Sequence, residues 1–306
     1  MKPLPFEIPE LKAELERSLG FALRPLARLG GSAAFNFKAV RAGDGMPFAV
    51  KCLPQASQTS YERIVAHLAD LAEVNAVRRV FEKECVPTFR DCHVVCTTWC
   101  DGDHLFPDRL TDEEFATFLD DYFSFSAAMQ KVKTLSEPRP VLEWREEVLS
   151  KCRGLAGCLL RKEIERIPLE DCIYRPDIMR VTHSDFHHGN IVFANGRIRG
   201  VLDLEGLRPG YPADDLVRYF TCAAEHLKLH SHFRRRRMLR LFRLAVRRMP
   251  YSRHEWMTAI NARFLLKCSR RLHGSNCVGM AKAFNLAWRA RFYHDLRMEA
   301  EEALKP

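Results

Sequence analysis

The chain has 306 residues, 47% of them hydrophobic and 28% charged, and a formal net charge of +9. That length can bury a substantial core as one large domain or two lobes, and the composition excludes a disordered or collagen-like chain. No apolar run approaches the ~20 residues of a membrane helix, and Met1-Lys2-Pro3-Leu4-Pro5 opens no apolar signal core, so a cytoplasmic protein is expected.

The first elements in chain order are three strands, over residues 22–29, 35–40 and 47–53, with the turn Ala42-Gly43-Asp44-Gly45 between the last two. A helix follows from Ser60 to Val77, where Ile64, Leu68, Leu71 and Val74 recur at helical spacing. Val80-Phe81 and the run His93 to Cys96 read as two more strands, closed by the polar turn Cys100-Asp101-Gly102-Asp103. Beyond it helices dominate. Thr111 is an N-cap with Asp112, Glu113 and Glu114 in the first turn, and Phe115, Phe118 and Leu119 form the apolar stripe behind it. The exception is the stretch from 178 to 203, where Ile191-Val192-Phe193 and Ile198 to Leu202 are strands joined across Ala194-Asn195-Gly196. The expected architecture is α+β and bilobal: an N-terminal lobe over residues 1–99, with an antiparallel sheet and a helix, and a mainly helical lobe over 100–306.

Two compositional features bear on partners. The eleven cysteines are scattered; the tightest group, Cys85, Cys92, Cys96 and Cys100, lacks the paired C-x-x-C knuckles of a zinc site and reads as core thiols. The positive excess lies in the C-terminal third. Arg234, Arg235, Arg236, Arg237, Arg240, Arg243, Arg247 and Arg248 alternate with apolar residues as an amphipathic helix with one basic side. A solvated face is the plain reading of that side; an anionic acceptor, an anionic membrane or nucleic acid are the functional ones.

The most informative stretch is His183-Ser184-Asp185-Phe186-His187-His188-Gly189-Asn190, which has the H-x-D-x-x-x-x-N spacing of a kinase catalytic loop. Phosphoryl transfer needs a carboxylate to orient the attacking hydroxyl and an amide oxygen to hold metal, and Asp185 and Asn190 supply both from one loop. A second metal-binding carboxylate is required on the next strand, and Val201-Leu202-Asp203-Leu204-Glu205 provides Asp203 one hairpin later. Singly, these residues can cap turns or end strands; their order and spacing carry the assignment.

On these motifs the sequence resembles the aminoglycoside phosphotransferase and choline kinase superfamily, small-molecule kinases of protein-kinase-like fold. The resemblance extends to Gly210-Tyr211-Pro212-Ala213-Asp214-Asp215-Leu216, where Asp215 matches the aspartate that braces the catalytic loop. It also extends to Phe48-Ala49-Val50-Lys51, where Lys51 matches the third-strand lysine on the nucleotide phosphates. The resemblance implies Glu62 as the lysine's partner, in preference to Glu73, and a structural role for His183. The loop Gly30-Gly31-Ser32-Ala33-Ala34 lets backbone N–H groups approach phosphate closely, and adenine is placed against residues 94–100, with Thr98 and Cys100 as nucleotide-binding residues. The expected cofactors are ATP and Mg2+, and the expected partner is a small-molecule hydroxyl acceptor. No P-loop consensus and no Ala-Pro-Glu activation segment occurs, which favours a small acceptor over a protein.

The acceptor's charge stays open at this level. Asp101, Asp103, Asp108, Asp112, Glu113, Glu114, Asp120 and Asp121 suit a cation such as an aminoglycoside, whereas the arginine helix suits an anion. The rival readings are a catalytically silent nucleotide-binding regulator of the same fold and an anionic-surface binder.

Overall fold

The computed structural model describes residues 4–29, 34–54, 58–72, 88–132, 141–173, 175–226, 232–272 and 280–305. The chain divides into two compact units. One comprises Met1–Asp103, Val192–Ala194 and Ile198–Glu205, and the other His104–Ile191, Asn195–Arg197 and Gly206–Pro306.

The first unit opens with helix α1 (Ile8–Leu19), which is not among the expected elements although its signals are in the sequence. Leu11, Leu15 and Leu19 recur every four residues and are buried, Glu10 reaches back to the Glu7 amide, and Gly20 ends the helix at φ 73°. Five strands follow: β1 (Ala27–Arg28), β2 (Phe35–Val40), β3 (Pro47–Pro54), β4 (Thr88–Phe89) and β5 (Cys92–Thr98). They form an antiparallel sheet in the order β1-β2-β3-β5-β4. The expected first strand, 22–29, shrinks to two residues and a lone bridge from Leu23 to Arg41. Pro25, which has no N–H to give to a ladder, accounts for the interruption. Strand alternation buries Phe37, Phe48, Val50, Cys52, Val94 and Cys96 with the leucines of α1 in one core. Lys51 therefore projects from the opposite face. Helix α2 (Gln58–Asp70) contacts β3 and β5, with Ile64, Leu68 and Leu71 buried. The rest of the helix expected to Val77, and the strand Val80-Phe81, lie outside the described residues.

The second unit is mainly helical: α3 (Asp112–Met129), α4 (Val141–Lys151), α5 (Gly154–Glu165), α6 (Asp214–His226), α7 (His232–Arg248), α8 (Arg253–Leu272) and α9 (Met280–Ala303). Thr111 caps α3 as expected, its Oγ1 accepting from Glu114 N at 3.1 Å while the Glu114 carboxylate accepts from Thr111 N at 2.8 Å. Helix α8 is buried almost all round, with Trp256, Ile260, Phe264, Leu265 and Leu272 inside, as a helix packed between α4, α6 and α9 must be. Four short strands complete the chain: β6 (Arg180–Thr182), β7 (Ile191–Ala194), β8 (Arg197–Val201) and β9 (Arg208–Gly210). β6 pairs with β9, and β7 with β8. The β7–β8 turn has Asn195 at φ 55° and Gly196 at φ 71°, the two left-handed residues that a type I′ hairpin needs. Among the described residues no helix is long and apolar enough to cross a membrane.

Candidate active site

The segment 183–190 leaves β6, which is paired with β9, and runs into β7. Directly after β6, Ser184 adopts φ 63°, a left-handed conformation that costs a non-glycine residue of order 1 kcal/mol and persists only where neighbours fix it. They do so here. Ser184 N donates to Asp215 Oδ1 at 2.8 Å, Ser184 Oγ donates to the Gly206 carbonyl at 2.7 Å, and the Ser184 carbonyl accepts from Arg263 Nη2 at 2.6 Å. His183 N donates to the other Asp215 oxygen at 2.8 Å. Phe186 then enters the core of the second unit among Phe118, Tyr122, Phe125 and Tyr219, and His183 packs edge-on to it at 5.9 Å.

With Phe186 anchored inward, its neighbour Asp185 presents a half-exposed carboxylate. Arg218, one turn along α6 from Asp215, donates to Asp185 Oδ1 through Nη2 at 2.9 Å and Nε at 3.2 Å. His187 Nε2 lies 3.5 Å from Oδ2. Burial pushes the Asp185 carboxyl up, but His187 and Arg218 outweigh it and hold the group well below the usual carboxylate range. Asp215 behaves in the opposite way: full burial and the neighbouring Asp214 push it up to about 7, against the two backbone donors and Arg263. Asp214 itself is clamped by buried Arg263, with Nε at 2.5 Å and Nη2 at 2.6 Å.

Asn190 closes the loop. Its N donates to the His187 carbonyl at 2.8 Å and its Nδ2 to the Asp185 carbonyl at 3.1 Å, so Oδ1 is the atom of its side chain that could hold a cation. Within the first unit, Asp203 ends the β8 segment at φ 58°, half-exposed, and its Oδ1 accepts from Lys51 Nζ at 2.8 Å. The lysine and the carboxylate singled out in the sequence thus meet, although 152 residues separate them. Thr98 ends β5 in register with Phe48, while Lys51 pairs with Val95. Cys100 stands close to Gly200: a Cβ there would lie 2.8 Å from its Sγ. Glu62 is exposed and accepts from Gln58 at 3.1 Å. It lies on the side of α2 turned away from Ile64, which is why it faces solvent. Gly30, Gly31, Ser32 and Glu73 lie outside the described residues.

A second donor group is His187, His188 and Cys222, whose ligand atoms lie within 4.8 Å of one another. Burial pushes the Cys222 thiol up, so it stays protonated near neutral pH and is a poor metal ligand; an oxygen donor such as Asn190 Oδ1 suits a hard divalent cation better. Arg218 is the residue that motif reading overlooks, yet its signal is present: it follows Asp215 by three positions on one helix face. Arg263, 79 residues from Ser184, has no local signal at all.

A family model described as the phosphotransferase enzyme family matches residues 26–251. No curated protein matches the chain. Among solved structures, the chain is similar to an aminoglycoside phosphotransferase from Alicyclobacillus acidocaldarius, at 14% identity and TM-score 0.62, covering 99% of this chain and 98% of that one. It is similar to a spectinomycin phosphotransferase in complex with ADP and spectinomycin, at 11% identity and TM-score 0.61, covering 98% and 100%. It is also similar to an amicoumacin kinase in complex with AMP-PNP, Ca2+ and its substrate, at 11% identity and TM-score 0.61, covering 95% and 96%. These likenesses establish the α+β kinase-like fold.

Proposed function

Because this chain belongs to the phosphotransferase enzyme family, we propose that it transfers the γ-phosphate of ATP to a hydroxyl of a small molecule, with Asp185 as the catalytic carboxylate. The observation that carries the reading is one braced loop that offers a carboxylate and an amide oxygen five residues apart. Asp185, ionised through the whole physiological range, accepts a hydrogen bond from the acceptor hydroxyl and aims its oxygen at the γ-phosphorus. Asp215 and Arg263 hold the backbone that sets this aim, so the alignment exists before substrate arrives. By the family resemblance, Lys51 and the loop 30–32 would take the phosphates, Thr98 and Cys100 would flank the adenine, and Asn190 and Asp203 would each offer an oxygen to magnesium. Oxygen donors of this kind would fit that ion, which when bound would supply positive charge to the phosphates. In this reading residues 1–99 form the nucleotide-binding lobe, residues 100–306 form the acceptor lobe, and the protein is cytoplasmic.

The test is to incubate the protein with magnesium-ATP and pooled hydroxylated acceptors and detect products by mass spectrometry. Asp185→Asn should retain nucleotide binding and lower kcat by about 100- to 10,000-fold. Full turnover in Asp185→Asn would overturn the assignment. Nucleotide binding without transfer to any acceptor would favour the silent regulator.

A further inference from the structure

The second unit contains a cavity of about 190 Å³ whose wall includes Arg218, Arg263, Lys267, Arg270 and Arg271. Five cations in so small a space repel one another unless carboxylates intervene. Three do. Asp185 pairs with Arg218, Asp214 with Arg263, and Glu225 with Lys267 at 2.6 Å. Arg270 and Arg271, at the C-terminal end of α8, form no ion pair among the described residues. Desolvation and the nearby Arg208, Arg263 and Arg218 push the Arg270 guanidinium down. Lys267 is pushed down by desolvation and, against its Glu225 partner, by Arg289 and Arg218. The cavity is thus a concentrated positive field in which two cations have no contact ion pair among the described residues, Asp185 acting on Arg270 only through space, and Arg218 joins it directly to Asp185 at 2.9 Å.

Much of the acidic run that would suit a cationic acceptor is already engaged. Asp108, Asp112 and Asp120 bind arginines of α7, Asp121 binds Arg197, and Glu114 caps its own helix. The charges of Asp108, Asp112, Asp120 and Asp121 are thus matched by arginines within the second unit, which leaves less of the run to hold an ammonium group.

We propose that the phosphoryl acceptor is itself an anion, a hydroxylated small molecule such as a sugar or polyol carrying a phosphate group, seated by Arg270, Arg271 and Lys267, with Arg218 between that group and Asp185. The inference rests on the kinase reading for its chemistry, but the cavity stands on its own geometry. A dianionic phosphate matches these two charges, and planar guanidinium groups bind such oxygens in pairs. The neutral hydroxyl end of the same molecule then extends past Arg218 to the carboxylate.

The experiment separates binding from turnover. Ribose 5-phosphate, gluconate and kanamycin are titrated calorimetrically into the wild type, Asp185→Asn, and the doubly substituted Arg270→Ala, Arg271→Ala protein, with a thermal melt to confirm folding. In parallel, each is offered as acceptor with magnesium-ATP. The expected result is that ribose 5-phosphate binds the wild type and Asp185→Asn, binds the double variant at least tenfold more weakly, and is not displaced by ATP. Equal binding by the double variant, or tighter binding of gluconate or kanamycin, would overturn the proposal. Arginine-dependent binding of the sugar phosphate without its phosphorylation would support the cavity as a phosphate-ester site and count against the kinase reading alone.

Discussion

Helix α7 and the C-terminal end of α8 are both rich in arginine and use it in opposite ways. Along α7, Arg237 and Arg240 share Asp112, Arg248 holds Asp120, Arg243 holds Glu299, and Arg235 holds Asp295. Those arginines act as cross-links to α3 and α9, and a carboxylate within contact distance cancels most of each field beyond a few ångströms. At the end of α8, Arg270 and Arg271 carry the same charge with no acid against them among the described residues. The eight arginines of α7 dominate the charge count, yet the smaller group on α8 is the better anion site. Pairing, rather than abundance, locates an electrostatic function.

The strongest way to probe that contrast is to break a pair that is fully buried. Arg263→Leu strips Asp214 of its partner and the Ser184 carbonyl of its donor, and should destabilise the protein by about 3–5 kcal/mol in urea unfolding, with loss of activity. A loss below about 1 kcal/mol would show that Asp214 finds another partner or takes up a proton.

Next in size is a pH effect. Asp215 has a folded pKa of about 7, above its unfolded value, so the folded state binds the extra proton and stability from this group is lost as pH rises from about 4 to about 7. Asp112 has the reverse sign: Arg240 holds its carboxyl below the ordinary value, so its contribution is present above that value and disappears as pH falls further. Urea midpoints should therefore rise on acidification from pH 7 to about pH 5, by an amount equivalent to a few kcal/mol, and fall below about pH 4. A midpoint that is flat or falls between pH 7 and pH 5 would place Asp215 in its ionised form throughout.

The smallest effect belongs to α7. Arg240→Ala leaves Arg237 on Asp112 and should cost at most about 1 kcal/mol, with no change in the KM of the acceptor. Heparin affinity lowered by Arg240→Ala, and left intact by Arg270→Ala, would reverse the comparison between the two helices.

Much of the fold was legible because its signals are local. Strand β2 alternates, β3 is a nearly continuous apolar run, Thr111 and Glu114 are three residues apart, and Asn195-Gly196 specifies its own turn. The loop 183–190 was legible for the same reason: Asn190 reaches the Asp185 carbonyl only five residues back. Pro25 shortened a strand that propensity alone extends, and the leucine repeat of α1 was masked by the prolines around it. Pairings between distant segments were not legible. Nothing in the sequence joins Arg263 to Asp214, or distributes the acids of α3 among the arginines of α7, because those contacts follow from how the helices stack. The opposed hints about acceptor charge came from counting both groups as free when part of each is paired with the other.

Asp215 grips two successive amides of the loop from the first turn of α6, and Arg218 grips Asp185 from the next turn of that helix. Loop and helix are therefore one mechanical piece, and the α8 cations reach it through Arg263 on the Ser184 carbonyl. The spacing between the anion-holding charges and the carboxylate is consequently set like a gauge block, within a single unit of the chain. On the proposed anion seat, selection by molecular length follows: the hydroxyl that receives the phosphoryl group is chosen by its distance from the acceptor's own charge.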